Sequence, residues 1–107
     1  MAKSKYSIIV TTCADHESAR EMAKLLVAEQ LAACVQIFPI ESVYAWQGNI
    51  CNDDETVLWI KSTSGMFDKI ADTILKNHTY DIPEIVQLPI TKGLPKYLEW
   101  ITDSVKP

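Results

Sequence analysis

Hydrophobic and polar residues alternate along this chain with two different periods, which divide it into elements. The short apolar run from Ser7 to Thr12 predicts a first strand. Asp15 then stands where a helix N-cap belongs, with Glu17 favourably placed in the first turn. The residues that follow predict an amphipathic helix, because apolar side chains recur with helical spacing at Ala19, Met22, Ala23, Leu26, Val27 and Leu31.

A long hairpin is predicted after this helix. From Cys34 to Gln47 the residues are mainly Val, Ile, Phe, Tyr and Trp, which favours a strand, bent or bulged near Pro39. Gly48 and Asn49 form a two-residue turn signal. The return strand is expected to run to about Ser62, with alternate residues on opposite faces.

The remaining elements are a helix, a strand and a short terminal helix. Ser64 is expected to cap the second helix, which ends near His78 and has an apolar stripe formed by Met66, Phe67, Ile70, Ala71, Ile74 and Leu75. A strand is predicted from Ile85 to Ile90. Pro95 begins the third helix.

The order β-α-β-β-α-β with a terminal helix predicts an α+β fold. Right-handed crossovers place both main helices on one face of a single antiparallel sheet. The strands are nevertheless apolar on both faces, notably around Tyr44, Trp46, Val57 and Trp59. Because soluble monomers rarely expose so large an apolar patch, we expect a homo-oligomer in which sheets or hairpins of neighbouring subunits cover each other.

Composition narrows the class of protein. The 107 residues fit one domain spanning residues 1–107, and a hydrophobic content of 48% excludes a disordered chain. The net charge is −4 and the lysines are scattered, so nucleic acid is an unfavourable partner. The apolar run Ile8 to Val10 is too short for a signal peptide or a membrane span. We therefore expect a cytoplasmic protein without a membrane partner.

The chain carries no signature of an enzyme. It lacks the G-x-S-x-G, G-x-x-x-x-G-K-[ST], G-x-G-x-x-G and H-E-x-x-H motifs, and three glycines cannot build a nucleotide loop. The three cysteines form no C-x-x-C pair, which argues against a disulfide framework and a structural zinc site. No catalytic residue and no organic cofactor are predicted.

The densest group of chemically active side chains runs from His78 to Glu84. His78 can ligate copper or zinc, with Tyr80, Asp81 and Glu84 contributing oxygens, or it is simply a histidine at a helix C-terminus. Cys13 and His16 form a second pair, at a helix start that favours thiolate and thereby a soft metal. The alternative for this pair is an exposed junction without function.

A ligand pocket is the other candidate site. Glu55 and Lys61 share a strand face, and across a subunit boundary they can line a pocket with Trp46, Tyr80 and Glu84. An aromatic wall with one lysine and two carboxylates suits a small polar metabolite or anion. An ion pair of Lys61 with a carboxylate of a neighbouring subunit explains the same residues equally well.

Several segments together resemble the CutA divalent-cation-tolerance family. They are Leu31 to Cys34, Tyr44 to Gly48, Glu55 to Ser62, His78 to Glu84, Leu88 to Ile90 and Tyr97 to Trp100. The resemblance implies a ferredoxin-like subunit, a cytoplasmic homotrimer, and a link to copper and other divalent metals. It also implies architectural kinship with PII-type signalling proteins. The family's proposed copper-ligand cysteine aligns nearer Thr11 than Cys13.

Two functions follow as hypotheses. The first is a metal-responsive homotrimer that binds copper or another divalent cation through His78, with Cys13 as a further ligand. The alternative is a PII-like sensor or adaptor that binds a small anion or metabolite in an inter-subunit cleft containing Lys61.

Overall fold

The computed structural model describes residues 4–107, and the predicted α+β fold is confirmed there. Met1 to Lys3, the start of the predicted domain, lie outside the described residues. Within the described part the elements are β1 (Tyr6–Cys13), α1 (His16–Ala28), β2 (Cys34–Trp46), β3 (Asn49–Thr63), α2 (Phe67–Asn77), β4 (Ile85–Pro89) and α3 (Pro95–Ser104). The strands form one antiparallel sheet in the order β2-β3-β1-β4.

The core lies between the sheet and the helices that cover one of its faces. Strand register places Ile9 opposite Ile60, and both are fully buried. Leu26 of α1 and Ile74 of α2 belong to the same buried cluster. We call this side of the sheet the helix face and the other side the open face. Burial of these aliphatic side chains is the main source of stability.

Helix α1 begins as the sequence predicts and ends earlier. The Asp15 side chain accepts a hydrogen bond of 2.7 Å from the Ser18 amide, which lowers the pKa of that carboxyl. The helix stops at Ala28, because Gln30 adopts a left-handed φ of 59° that turns the chain back. Leu31 therefore lies beyond the helix but remains in the core.

The hairpin turn is shifted by one residue from its predicted position. Trp46 pairs with Asn49, so Gln47 and Gly48 form the turn, with φ values of 50° and 81°. Positive φ at both central residues is the requirement of a type I′ turn. Pairing runs one-to-one through Pro39 and Thr56, so β2 has no bulge there, and a bend at Pro39 stays a prediction. An edge strand tolerates this proline because its missing N–H can face away from the partner strand.

The predicted Ser64 cap of the second helix is wrong. A short 3-10 turn spans Ser64–Met66, and α2 begins at Phe67 with no side-chain cap. The Ser64 hydroxyl instead meets the Ser7 hydroxyl of β1. At the same end of the sheet, α3 buries Ile101, and its Thr102 hydroxyl lies 2.7 Å from that of Tyr6.

The open face has no helix comparable with α1 or α2 among residues 4–107. Phe38, Val86 and Leu88 on this face are 40%, 45% and 43% exposed. Register places Val86 beside Val10, and Val10 beside Trp59. The described helices are all too short or too polar to cross a lipid bilayer.

Candidate functional site

A cleft of about 600 Å³ opens where the hairpin leaves the rest of the sheet. One wall is formed by β2, β3 and the end of β1. The other wall is the segment His78–Glu84, which we call the connector, between α2 and β4. The lining residues are Thr12, Ser42, Val43, Tyr44, Trp46, Asp53, Glu55, Tyr80, Asp81, Ile82 and Glu84.

The hairpin register brings its functional groups to one face. Ser42 pairs with Asp53 and Tyr44 with Cys51, so Tyr44, Asp53 and Glu55 all point to the open face. The Tyr44 hydroxyl donates a hydrogen bond to the Asp53 carboxylate. This bond is the main reason that the pKa of Tyr44 rises to about 12. Tyr44 is therefore a neutral phenol near pH 7.

The connector is tied to β1 through His78, which is the C-cap of α2. Its Nδ1 accepts the amide hydrogen of Tyr80 at 3.1 Å. Its Nε2 lies 2.6 Å from the carbonyl oxygen of Thr12. Because Nδ1 is an acceptor, the proton is on Nε2, which donates to Thr12. Both nitrogens of the ring are therefore engaged.

A second tie joins the connector to β3. The Tyr80 hydroxyl donates to Oε2 of Glu55 at 2.8 Å. Burial raises the pKa of Tyr80 above its usual range, and the bond to Glu55 and the charge of that carboxylate raise it further. Tyr80 thus keeps its proton, and Glu55 retains oxygen lone pairs that can accept from a ligand.

The electrostatic character of the cleft is acidic. Its lining includes the carboxylates of Asp53, Glu55, Asp81 and Glu84, and no Lys, Arg or His among the described residues joins them. Since the phenol protons of Tyr44 and Tyr80 already bond carboxylates, the lining is rich in acceptors. Such a surface favours a positively charged ligand over an anion.

The structure brings together four of the five residues predicted for a ligand pocket. Trp46, Glu55, Tyr80 and Glu84 all line the cleft. Lys61 does not, because its Nζ lies 5.3 Å from the centre of the Tyr97 ring, at the end of the sheet where α3 packs. Among residues 4–107 the cleft therefore has no lysine for the anion of the alternative hypothesis.

The two residues predicted as metal ligands lie apart from the lining. Cys13 is 4% exposed and faces the helices, since it pairs with Thr56 next to the fully buried Leu58 pair. Burial raises the pKa of its thiol, and the charges of Asp15 and Glu55 add to the effect. The expected lowering of this pKa by the helix N-terminus is wrong. Ligation by Cys13 and His78 stays a prediction.

No group of three or more His, Cys, Asp and Glu side chains within residues 4–107 is close enough to hold a metal ion. The carboxylates of the cleft are spread over its walls rather than gathered at one point. An ion there would keep water ligands or take further ligands from another subunit.

Sequence reasoning missed Asp53 and Tyr44 as members of the site. A signal for Asp53 was present, because it stands two residues before Glu55 and side chains alternate along a strand. Thr12 gave no signal, since its contribution depends on where the connector packs. Asp81 was noticed as an oxygen donor, and it does line the cleft.

Fold and site together define a ferredoxin-like α+β protein with an acidic cleft beneath a long hairpin. The sequence profile of the CutA1 divalent ion tolerance protein family matches residues 7–104. This chain belongs to that family. The resemblance to the CutA family is therefore confirmed. The family is named for tolerance of divalent ions rather than for a catalysed reaction.

Three relatives show how closely the chain follows the family. It is 42% identical to the chloroplastic protein CutA of Arabidopsis thaliana, covering 98% of this chain but 59% of that protein. It is 42% identical to the divalent-cation tolerance protein CutA of Thermus thermophilus, covering 91% and 95%. The solved periplasmic divalent cation tolerance protein CutA of Archaeoglobus fulgidus superposes with a TM-score of 0.93 at 37% identity, covering 94% and 99%.

These names correct the predicted cytoplasmic location. One relative is named chloroplastic and another periplasmic, so members of this family are assigned to other compartments. The prediction rested on the short apolar run near Ile8, and the compartments printed in the names of these relatives conflict with it.

Proposed function

We propose that this chain binds divalent cations, copper(II) included, in the acidic cleft, and that it acts as a homotrimer. The observation that carries the proposal is the cleft lining, in which Asp53, Glu55, Asp81 and Glu84 meet no cationic side chain of the described chain. The family to which the chain belongs is named for divalent ions, which agrees with a cation as ligand.

The donor chemistry supports a weakly held, partly hydrated ion. Carboxylate oxygens bind the whole first-row series, and copper(II) binds such sites most tightly. The absence of a preformed ligand cluster in residues 4–107 argues against a tight structural site. Binding therefore draws on the summed negative charge of the cleft and depends on the ionic strength.

The homotrimer is supported by the open face. Phe38, Val86 and Leu88 form an apolar surface that a second copy can cover, because each of them is 40–45% exposed in the single subunit. The long edge strand β2 also leaves one row of backbone groups without a partner strand within residues 4–107. The number three comes from the resemblance to the CutA family. Sedimentation equilibrium of the purified chain should give three times the subunit mass, and a monomer at micromolar concentration would contradict it.

Calorimetric titration of the chelator-stripped protein with Cu²⁺ tests the cation site. Glu55→Gln should weaken the binding of Cu²⁺ about tenfold, which is a typical loss when a group close to a bound metal ion is changed. Glutamine keeps an oxygen that accepts from Tyr80, so the variant removes charge while retaining that bond. Glu99→Gln is the matched control, because Glu99 is exposed on α3 away from the cleft. Wild-type protein that shows no heat of binding at millimolar Cu²⁺ would refute the proposal.

A further inference from the structure

The role of His78 can be inferred from the end of the β1–β4 ladder. Pairing between these strands stops at Thr11 and Ile85. One residue further along β1, the carbonyl of Thr12 is met by the imidazole Nε2 at 2.6 Å. Thr12 is almost fully buried, so its carbonyl needs a partner from within the protein. The imidazole supplies the donor at the point where β4 has ended.

The other ring nitrogen holds the connector. Nδ1 accepts the Tyr80 amide at 3.1 Å, and the two rings are in contact, with centroids 4.6 Å apart. A metal ion needs a free nitrogen lone pair, but the Nδ1 lone pair is engaged and Nε2 carries the proton. Ligation by His78 would therefore break one of the two bonds that position the connector.

We propose that His78 is a positioning residue of the cleft, acting as a neutral bridge from β1 to the connector rather than as a metal ligand. The bridge fixes the Tyr80 backbone, and the Tyr80 hydroxyl in turn reaches Glu55 on β3. This series of bonds sets the distance between the connector carboxylates and Glu55. The predicted change in cation affinity rests on the proposed cation site, whereas the hydrogen bonds of His78 do not depend on it.

The consequence concerns Asp81 and Glu84, which are exposed on the connector and contribute half of the carboxylates in the cleft. The hydrogen bonds of His78 and Tyr80 tie their segment to the sheet. Without the bridge, the connector gains conformational freedom, and bringing its carboxylates back to Glu55 costs entropy. The affinity for a cation should therefore fall although no ligand has been removed.

Imidazole ¹⁵N shifts measured by NMR on metal-free protein test the bridge directly. The expected result at pH 7.5 is the neutral tautomer with the proton on Nε2. The Tyr80 amide should exchange about tenfold faster in His78→Ala, because a part-buried donor loses its acceptor. His78→Gln retains a neutral donor and acceptor and should restore slow exchange. His16→Gln, at the exposed start of α1, is the matched control and should change neither property.

Three results would overturn the inference. The first is a proton on Nδ1, and the second is exchange of the Tyr80 amide in His78→Gln that is as fast as in His78→Ala. The third is a metal-bound ¹⁵N shift at His78 when Zn²⁺ is added. Cu²⁺ affinity should fall about tenfold in His78→Ala and stay near wild type in His78→Gln. If wild-type protein binds no cation, the proposed function fails, while the tautomer and the Tyr80 exchange still decide the role of His78.

Discussion

The two faces of the same sheet differ in how their apolar side chains are covered. On β3, Leu58 and Ile60 point to the helix face and are fully buried beneath α1 and α2. On the open face, Phe38, Val86 and Leu88 remain 40–45% exposed. Both faces are built from strands of comparable hydrophobicity. The difference in side-chain exposure therefore comes from what packs against each face and not from the strands.

The hydrophobic pattern of a strand predicts which side chains are buried, but it does not predict whether the same subunit or another one covers them. Alternation along β1 and β3 specifies two apolar faces. One is closed within the subunit by helices that the sequence also encodes. The other stays partly exposed in the single subunit, and the cleft lies at its margin, where Glu55 and Tyr44 continue the open face into the hairpin.

The largest expected effect is on assembly. Val86→Asp places a charge on the open face, and burying it unpaired in an interface costs about 3–5 kcal/mol. The variant should sediment as a folded monomer. Leu75→Asp is the control, because Leu75 is 56% exposed on α2, which packs on the other face of the sheet. If Val86→Asp sedimented as wild type does, the open face would not be an interface.

The next effect tests the helix face. Ile60→Ala removes a fully buried side chain and should lower the free energy of unfolding by about 3 kcal/mol. Subunit number should remain unchanged, because the cavity forms beneath the helices. Denaturant unfolding followed by circular dichroism measures the loss. Ile50→Ala should shift the curve by less than about 0.5 kcal/mol, and an equal shift in both variants would contradict the assignment of the core.

A smaller effect is expected at the hairpin turn that extends the open face. Gly48 has a φ of +81° with no atom within 4 Å of an added Cβ, so Gly48→Ala acts through backbone strain alone. The expected cost is about 1 kcal/mol. Gly65→Ala is the matched control, since Gly65 has equal space without positive φ. Gly65→Ala should leave the free energy of unfolding unchanged or raise it slightly. A change of the same sign in both variants would contradict the type I′ turn.

The smallest effect concerns the cap of the helix that covers the helix face. The Ser18 amide lowers the pKa of Asp15 below 3.8, so the folded state binds this proton more weakly than the unfolded state. The stabilisation is therefore present above about pH 4 and is lost as the pH falls through the folded pKa. Asp15→Asn retains a cap without a charge. Melting temperatures of the two proteins should converge between pH 5 and pH 2 (about the range of carboxyl titration), and a constant difference would contradict the cap.

Much of the fold could be predicted from local patterns. The strand at Ile9, the α1 stripe and the start of α3 at Pro95 follow from periodicity and capping chemistry. The turn at Gln47 was missed because glutamine rarely adopts positive φ, and Gly48 with Asn49 fitted the usual preference better. Ser64 failed as a cap because a contact with Ser7, far away in sequence, replaced it.

The candidate site was predictable in its chemistry and less so in its geometry. Alternation brought Glu55 to the right face, and the connector was conspicuous from its dense functional groups. Bonds from His78 to Thr12 and from Tyr80 to Glu55 join residues 66 and 25 positions apart. Such contacts depend on where β4 ends and how the connector packs, which single-sequence patterns do not specify.

The sheet order also determines when the parts of this fold can form during synthesis. Strand β1 leaves the ribosome first, but its neighbours in the sheet are β3 and β4. Ser7, for example, cannot pair with Pro89 until β4 has been synthesised. The β2–β3 hairpin has local pairing and can close long before that point. Until β4 emerges, one edge of β1 carries unpaired backbone groups beside apolar side chains. The nascent chain is therefore prone to aggregation in the interval between the emergence of β3 and the emergence of β4.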